Sequence, residues 1–218
     1  MPSIRPPFPR IILGSSSQYR KELLARLHLP FEVAVPGIDE TPHAGEAPQD
    51  TALRLAYAKA ASIGAKHPDA IVISSDQVAT LDNEQIGKPG THENALKQLQ
   101  KMRGRLVTFH TALCVWDGRQ SEPARSAQVA NVQTYVTFRN LPDEELDAYL
   151  RIERPYDCAG SAKNEALGIA VLDKIESSDP TALTGLPLIT LTTMLRNCGV
   201  PFFQPNNSRE QEASSSIL

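Results

Sequence analysis

Ile11-Ile12-Leu13-Gly14-Ser15-Ser16-Ser17-Gln18-Tyr19-Arg20-Lys21 decides the architecture of this chain. Ile11 to Leu13 reads as a buried strand. It stops at Gly14 and three serines, and Leu23, Leu24 and Leu27 then recur at helical spacing over Gln18–His28. A strand that turns into a helix at small hydroxyl residues offers free backbone N–H groups. With Arg20 and Lys21 beside them, these make a cradle suited to phosphate. Serines before a helix are also ordinary N-caps, so the stretch gains its meaning from the rest of the chain.

Working outward, Leu29-Pro30 ends the helix and Phe31–Val35 alternates like a short strand. A loop rich in proline and glycine carries Asp39-Glu40. An alanine-rich helix from Asp50 to about Lys66 has Leu53, Ala56, Ala60 and Ile63 on one face and includes Lys59. The apolar run Ala70–Ile73 then ends in Ser74-Ser75-Asp76-Gln77, placing a carboxylate at the carboxyl edge of a sheet, where α/β folds keep their sites. A carboxylate there has to be solvated, paired or metal-bound. Asp82-Asn83 reads as a turn, and Lys88 is held between Gly87 and Pro89. His92–Met102 is a helix, Thr108–Trp116 and Val129–Phe138 an antiparallel pair, and Pro142 opens a helix running to Ile152. Ala166–Leu172 is read as a strand and Thr184–Cys198 as a last helix carrying Pro187. The pattern is α/β: one mixed-sheet domain over residues 10–203, with 1–9 and 204–218 as flexible ends.

The bulk composition narrows the function. At 218 residues the chain can bury one sizeable core, or two small lobes that share a cleft. A net charge of −3 argues against a nucleic-acid-coating protein, and no apolar run approaches the length of a membrane span. Cys114, Cys158 and Cys198 are odd in number and widely spaced, as expected of reduced thiols in a cytoplasmic protein. The histidines show no metal-binding spacing. The nucleophile elbow, the P-loop and the dinucleotide fingerprint are all missing. What remains is a phosphate grip with a carboxylate, pointing to metal-assisted chemistry on a phosphorylated ligand.

Several stretches, taken in order, resemble the Maf-like nucleoside triphosphate pyrophosphatase family. They are Ser15–Arg20, Ile38-Asp39-Glu40-Thr41, Lys59-Ala60, Ser75-Asp76-Gln77-Val78, Gly87-Lys88-Pro89, Cys158-Ala159-Gly160-Ser161 and Asp179-Pro180 with Gly185-Leu186-Pro187. The resemblance implies two lobes around a nucleotide-binding cleft, as in inosine triphosphate pyrophosphatases. It also implies hydrolysis between the α- and β-phosphates with a divalent cation, most simply Mg²⁺, with Mn²⁺ or Co²⁺ as alternatives. By the same resemblance Asp76 is the proton acceptor for the attacking water, and Ser15, Arg20, Lys59 and Lys88 bind phosphate. Glu40 and Asp76 then serve the metal; whether Asp76 is mainly base or mainly ligand stays open here. A triphosphate carries about four negative charges, which cationic side chains and a metal must offset in the transition state. Members of the family often form homodimers, although no feature of the sequence requires one.

Tyr19, Gln77 and Glu165 fall on the positions that resemble the 7-methyl-GTP subgroup, with Tyr19 in place of its usual Trp. Guanine presents two donors on its Watson–Crick edge, which a carboxylate at Glu165 accepts. Methylation at N7 makes the base cationic, so an electron-rich ring at Tyr19 can stack on it. The plainer alternatives are helix packing for Tyr19 and a salt bridge from Glu165 to Lys163. Two other functions remain open from the sequence: a pyrophosphatase for dTTP, UTP or modified pyrimidines, and a non-catalytic nucleotide-binding regulator of cell division.

Overall fold

The computed structural model describes residues 8–122 and 126–203; most of the two ends expected to be flexible lies outside these. Among the described residues seven strands form one mixed sheet: β1 (Arg10–Gly14), β2 (Glu32–Ala34), β3 (Ala70–Leu81), β4 (Glu84–Ile86), β5 (Leu106–Asp117), β6 (Ala127–Phe138) and β7 (Leu172–Ser177). Its order is β2-β1-β3-β5-β6-β7, with β4 also paired to β3. β1 runs parallel to both β2 and β3, and the other pairs are antiparallel. Strand β1 lies between two parallel neighbours, which explains its unbroken apolar run: Ile11, Ile12 and Leu13 are buried.

The helices are α1 (Gln18–Ala25), α2 (Pro48–Gly64), α3 (His92–Met102), α4 (Asp143–Glu153) and α5 (Leu188–Asn197). The Ser17 hydroxyl accepts from Arg20 N–H and starts α1, and Thr91 does the same for α3. Pro48 opens α2, where its missing N–H costs nothing, and Asp143, Glu144 and Glu145 load the first turn of α4 with negative charge. Helix α5 has no side-chain cap of its own. Asp179, buried in the preceding loop, supplies one from outside: its Oδ2 accepts from Ile189 N–H at 2.7 Å and Thr190 N–H at 3.2 Å.

Alternation along β3 explains how one sheet makes two cores with a cleft between them. Ile71 and Ile73 pack with Leu113 and Val115 of β5 against Leu23, Leu24, Leu191 and Leu195 of α1 and α5. Ala79 and Leu81, with Val107 and Phe109, pack under Leu99, Met102, Leu146 and Leu150 of α3 and α4. Between them on the same face come Ser75, Gln77 and Thr111, so the hydrophobic layer is broken by polar residues. The other face is covered by α2 through Ala52, Ala56, Ala60 and Ile63. Its close approach needs Gly64, where a Cβ would come within 2.5 Å of the Trp116 ring.

Three expectations from the sequence change. The strand ending at Asp76 continues to Leu81 and pairs with β4, because Asp76 and Gln77 find partners inside the fold instead of stopping it. The strand read over Ala166–Leu172 is a 3₁₀ turn over Leu167–Val171, and the strand itself lies at Leu172–Ser177. Gly168 packs against the Lys163 backbone, a contact that an extended strand would not make. The last helix begins at Leu188, not Thr184, since Thr184 to Leu186 form a loop into which Gly185 brings φ = 106°.

Candidate active site

Strand β3 pairs with β1 up to Ile73 and with β4 from Ala79, so from Ser74 to Val78 the edge away from β5 has no partner strand among the described residues. This opening is the floor of a cleft of about 1030 Å³ whose walls include Ser15–Arg20, Glu40, Lys59, Lys88, Asp157–Ala159 and Ala162–Glu165. All nine candidate residues from the sequence, Ser15, Tyr19, Arg20, Glu40, Lys59, Asp76, Gln77, Lys88 and Glu165, line it.

At the centre Lys59 Nζ lies 2.6 Å from Asp76 Oδ1 and 3.0 Å from Glu40 Oε2. The lysine is almost fully buried in the otherwise apolar face of α2, Asp76 nearly so, while Glu40 is exposed in its loop. A lysine expected to contact phosphate is therefore first a clamp on the strand carboxylate. Alongside, Arg20 Nε donates to Gly185 O at 3.0 Å and Nη1 to Ser15 Oγ at 3.4 Å. These are neutral acceptors, so the guanidinium charge is not spent on a carboxylate. Burial lowers the Arg20 pKa, opposed by nearby Asp76 and Glu40, but an arginine stays charged. Ser15 Oγ also accepts from Ser17 N–H at 3.1 Å, so the turn into α1 is already shaped by its own hydroxyl. Lys88 is exposed and also lines the cleft.

The other end of the cleft brings Tyr19 to Glu165. Tyr19 and Glu165 lie within electrostatic reach of each other, while desolvation raises the pKa of each. The plainer reading of Glu165 as the partner of Lys163 does not hold: Lys163 Nζ pairs with Asp157 Oδ1 at 3.0 Å.

Gln77 behaves differently from the other two specificity candidates. Its amide nitrogen donates to Thr111 Oγ1 at 2.8 Å, Leu183 O at 3.0 Å and Ala182 O at 3.1 Å. Thr111 and Ser75 donate to Ala182 O and Gly185 O in turn. The polar break in the sheet thus fastens the 182–185 loop, and Gln77 reaches the cleft while anchoring its wall. Sequence reasoning missed this anchoring, as it did the cap formed by Asp179. The one available signal was polar Ser75, Gln77 and Thr111 inside strands otherwise apolar on that face.

The carboxylates at the centre of the cleft are those of Glu40 and Asp76, both beside Lys59. Among the described residues no group of three or more His, Cys, Asp or Glu side chains is placed to hold a metal. One or two carboxylates completed by phosphate oxygens is the donor set that Mg²⁺ accepts, so the residues fit a metal that arrives with its nucleotide.

The family model described as "Maf-like protein" matches residues 10–198. The chain belongs to the Maf-like family. This Maf-like chain is 67% identical over 195 residues to a protein of Cupriavidus metallidurans named 7-methyl-GTP pyrophosphatase, covering 89% of this chain and 96% of that one. A Ralstonia nicotianae protein of the same name is 63% identical over 195 residues, covering 89% and 98%. Among solved structures, a HAM1 protein from Coxiella burnetii covers 61% of this Maf-like chain and 74% of its own at 18% identity and a TM-score of 0.43.

Proposed function

We propose that this chain hydrolyses 7-methyl-GTP to 7-methyl-GMP and pyrophosphate, as a cytoplasmic, Mg²⁺-dependent enzyme that clears a modified nucleotide from the pool. The observation that carries this reading is that Tyr19 and Glu165 line the same cleft as the clamped Asp76. Relatives named for that substrate share more than 60% of their residues with it over nearly their whole length.

The chemistry follows from the residues. Lys59 holds Asp76 by Oδ1, which leaves the second oxygen to take a proton from the attacking water. The new oxygen bond forms at the α-phosphorus, the bridging bond to the β-phosphate breaks, and pyrophosphate leaves. Arg20 and Lys88, with Ser15 and the N–H groups at the start of α1, balance the charge that moves onto the leaving group. Glu40 and Asp76 would hold the cation, which when bound supplies charge neutralisation along the phosphates. The Tyr19 ring stacks on the cationic base, and Glu165 accepts from its N1–H and exocyclic amine. Free thiols at Cys114, Cys158 and Cys198 agree with a reducing compartment, and no helix among the described residues is long and apolar enough to cross a membrane.

The test is pyrophosphate release with Mg²⁺ from 7-methyl-GTP, GTP, dTTP, UTP, CTP and ATP. The highest kcat/KM on 7-methyl-GTP is the expected result. A pyrimidine preference rejects the base reading, and no release from any of the six rejects the enzyme.

A further inference from the structure

The base end of the cleft carries one charged pair that this reaction scheme does not use. Lys163 Nζ lies 3.0 Å from Asp157 Oδ1, with the lysine side chain 15% exposed and the aspartate 74%. Glu165, two residues along the chain, would seem the nearer partner, but the turn between them is fixed from outside. Ala166 N–H donates to Lys163 O at 3.0 Å. A Cβ on Gly168 would lie 2.4 Å from Lys163 N and 2.5 Å from its O, so the two backbones are in direct contact. Asn164 Nδ2 donates to Thr184 Oγ1 at 3.2 Å, and Tyr149 Oη to Ser161 O at 3.1 Å. The Lys163 backbone is pinned, and its buried stem delivers the ammonium to Asp157 while keeping it within electrostatic reach of the base subsite. There it lowers the pKa of both Tyr19 and Glu165, against the desolvation that raises them.

An uncompensated ammonium at this point would repel a cationic base. We propose that Asp157 and Lys163 are specificity-determining residues that set the charge of the base subsite and so discriminate a positively charged purine from a neutral one. With the pair intact, the carboxylates of Asp157, Glu165 and nearby Glu153 outnumber the ammonium groups of Lys163 and Lys88 by one, and the subsite is net negative. Removing the Asp157 charge makes it neutral, and removing the Lys163 charge makes it more negative. The two substitutions therefore act in opposite directions, which damage to the loop would not do. This inference rests on the placement of the base against Tyr19 and Glu165 argued above.

The experiment is calorimetric titration of the full chain with the product mononucleotides 7-methyl-GMP and GMP at mildly acidic pH, which reads base recognition without turnover. Asp157→Asn is expected to lower the ratio of the two affinities by about tenfold, the scale set by one unit charge a short distance from another near a protein surface. Lys163→Met is expected to raise the ratio. Ratios unchanged in both variants, or moved in the same direction, overturn the proposal. Should Asp157→Asn fail to fold, Lys163→Met decides alone, a rise supporting the proposal and a fall or no change overturning it. A wild-type chain that binds the two mononucleotides equally removes the base placement itself, an outcome distinct from unaltered ratios in a chain that does discriminate.

Discussion

Replacing Lys59 by Met keeps the apolar stem and removes only the ammonium. The wild-type ammonium sits 2.6 Å from Asp76 Oδ1, where the two side chains are 7% and 11% exposed. Taking one member from a fully buried ion pair costs about 3–5 kcal/mol, because the remaining charge is left without compensation. Asp76 opens onto a cleft that water enters, so the lower end of that range applies, about 3 kcal/mol. The contact with Glu40 adds little, since that carboxylate is 55% exposed and exposed pairs contribute about 0–1 kcal/mol. Urea unfolding of Lys59→Met, Asp76→Asn and the double variant forms a mutant cycle. The double variant should recover most of the loss, because no buried charge is left without a partner. If Lys59→Met unfolds within about 0.5 kcal/mol of wild type, an ordinary surface substitution, the clamp described here does not operate. A double variant less stable than either single one would refute the electrostatic origin of the effect.

Glu165→Gln should shift kcat/KM away from 7-methyl-GTP towards pyrimidine nucleotides; unchanged ratios in a nucleotide panel would remove Glu165 from base recognition. Gly168→Ala forces a methyl group into the Lys163 backbone, so denaturant unfolding should report a loss of about 1–3 kcal/mol. Wild-type stability in that variant would show that the turn yields freely. Asp179→Ala withdraws the acceptor from Ile189 and Thr190 N–H at the start of α5 and should cost about 1–2 kcal/mol by the same measurement. An unchanged unfolding midpoint would mean that water caps the helix equally well. For Asp117, burial pushes the carboxyl pKa up, but the Arg119 guanidinium, Gln120 and Arg119 N–H outweigh it and hold it below its usual range. A lowered carboxylate pKa stabilises the fold above the unfolded-state value and loses that stabilisation as pH falls through the folded one. Asp117→Asn should thus lose stability at neutral pH and show a shallower decline in acid, and a parallel pH profile would refute the assignment.

Much of the fold could be read from the chain because its early elements are locally unambiguous. Ile11–Leu13 can only be a buried strand, and Ser17 and Thr91 sit where helix caps belong. The site was legible as a set of residue types, since the phosphate cradle and the strand carboxylate each carry a local signature. Their partnerships were not. Lys59 reads as a surface lysine until Asp76 and Glu40 arrive from elsewhere in the chain, and Lys163 pairs with Asp157 and not with Glu165, a choice that no local pattern displays. Ala166–Leu172 was misread as a strand because a short apolar run fits a tight turn as well as a strand, and tertiary packing chose the turn.

The unpaired edge of β3 from Ser74 to Val78 has a consequence for solubility. A strand that shows free N–H and C=O groups is a template on which another molecule can extend the sheet, a recognised route to aggregation. Here the run without a partner strand is only five residues long, is largely buried and is bounded at both ends by strands of the same chain. It is recessed in a cleft and carries a carboxylate at its middle. A foreign strand would have to enter the cleft between β1 and β4 and would meet the Lys59–Asp76 pair on arrival. The fold can therefore leave part of its sheet unfinished for a small polar ligand without offering an edge to its own neighbours.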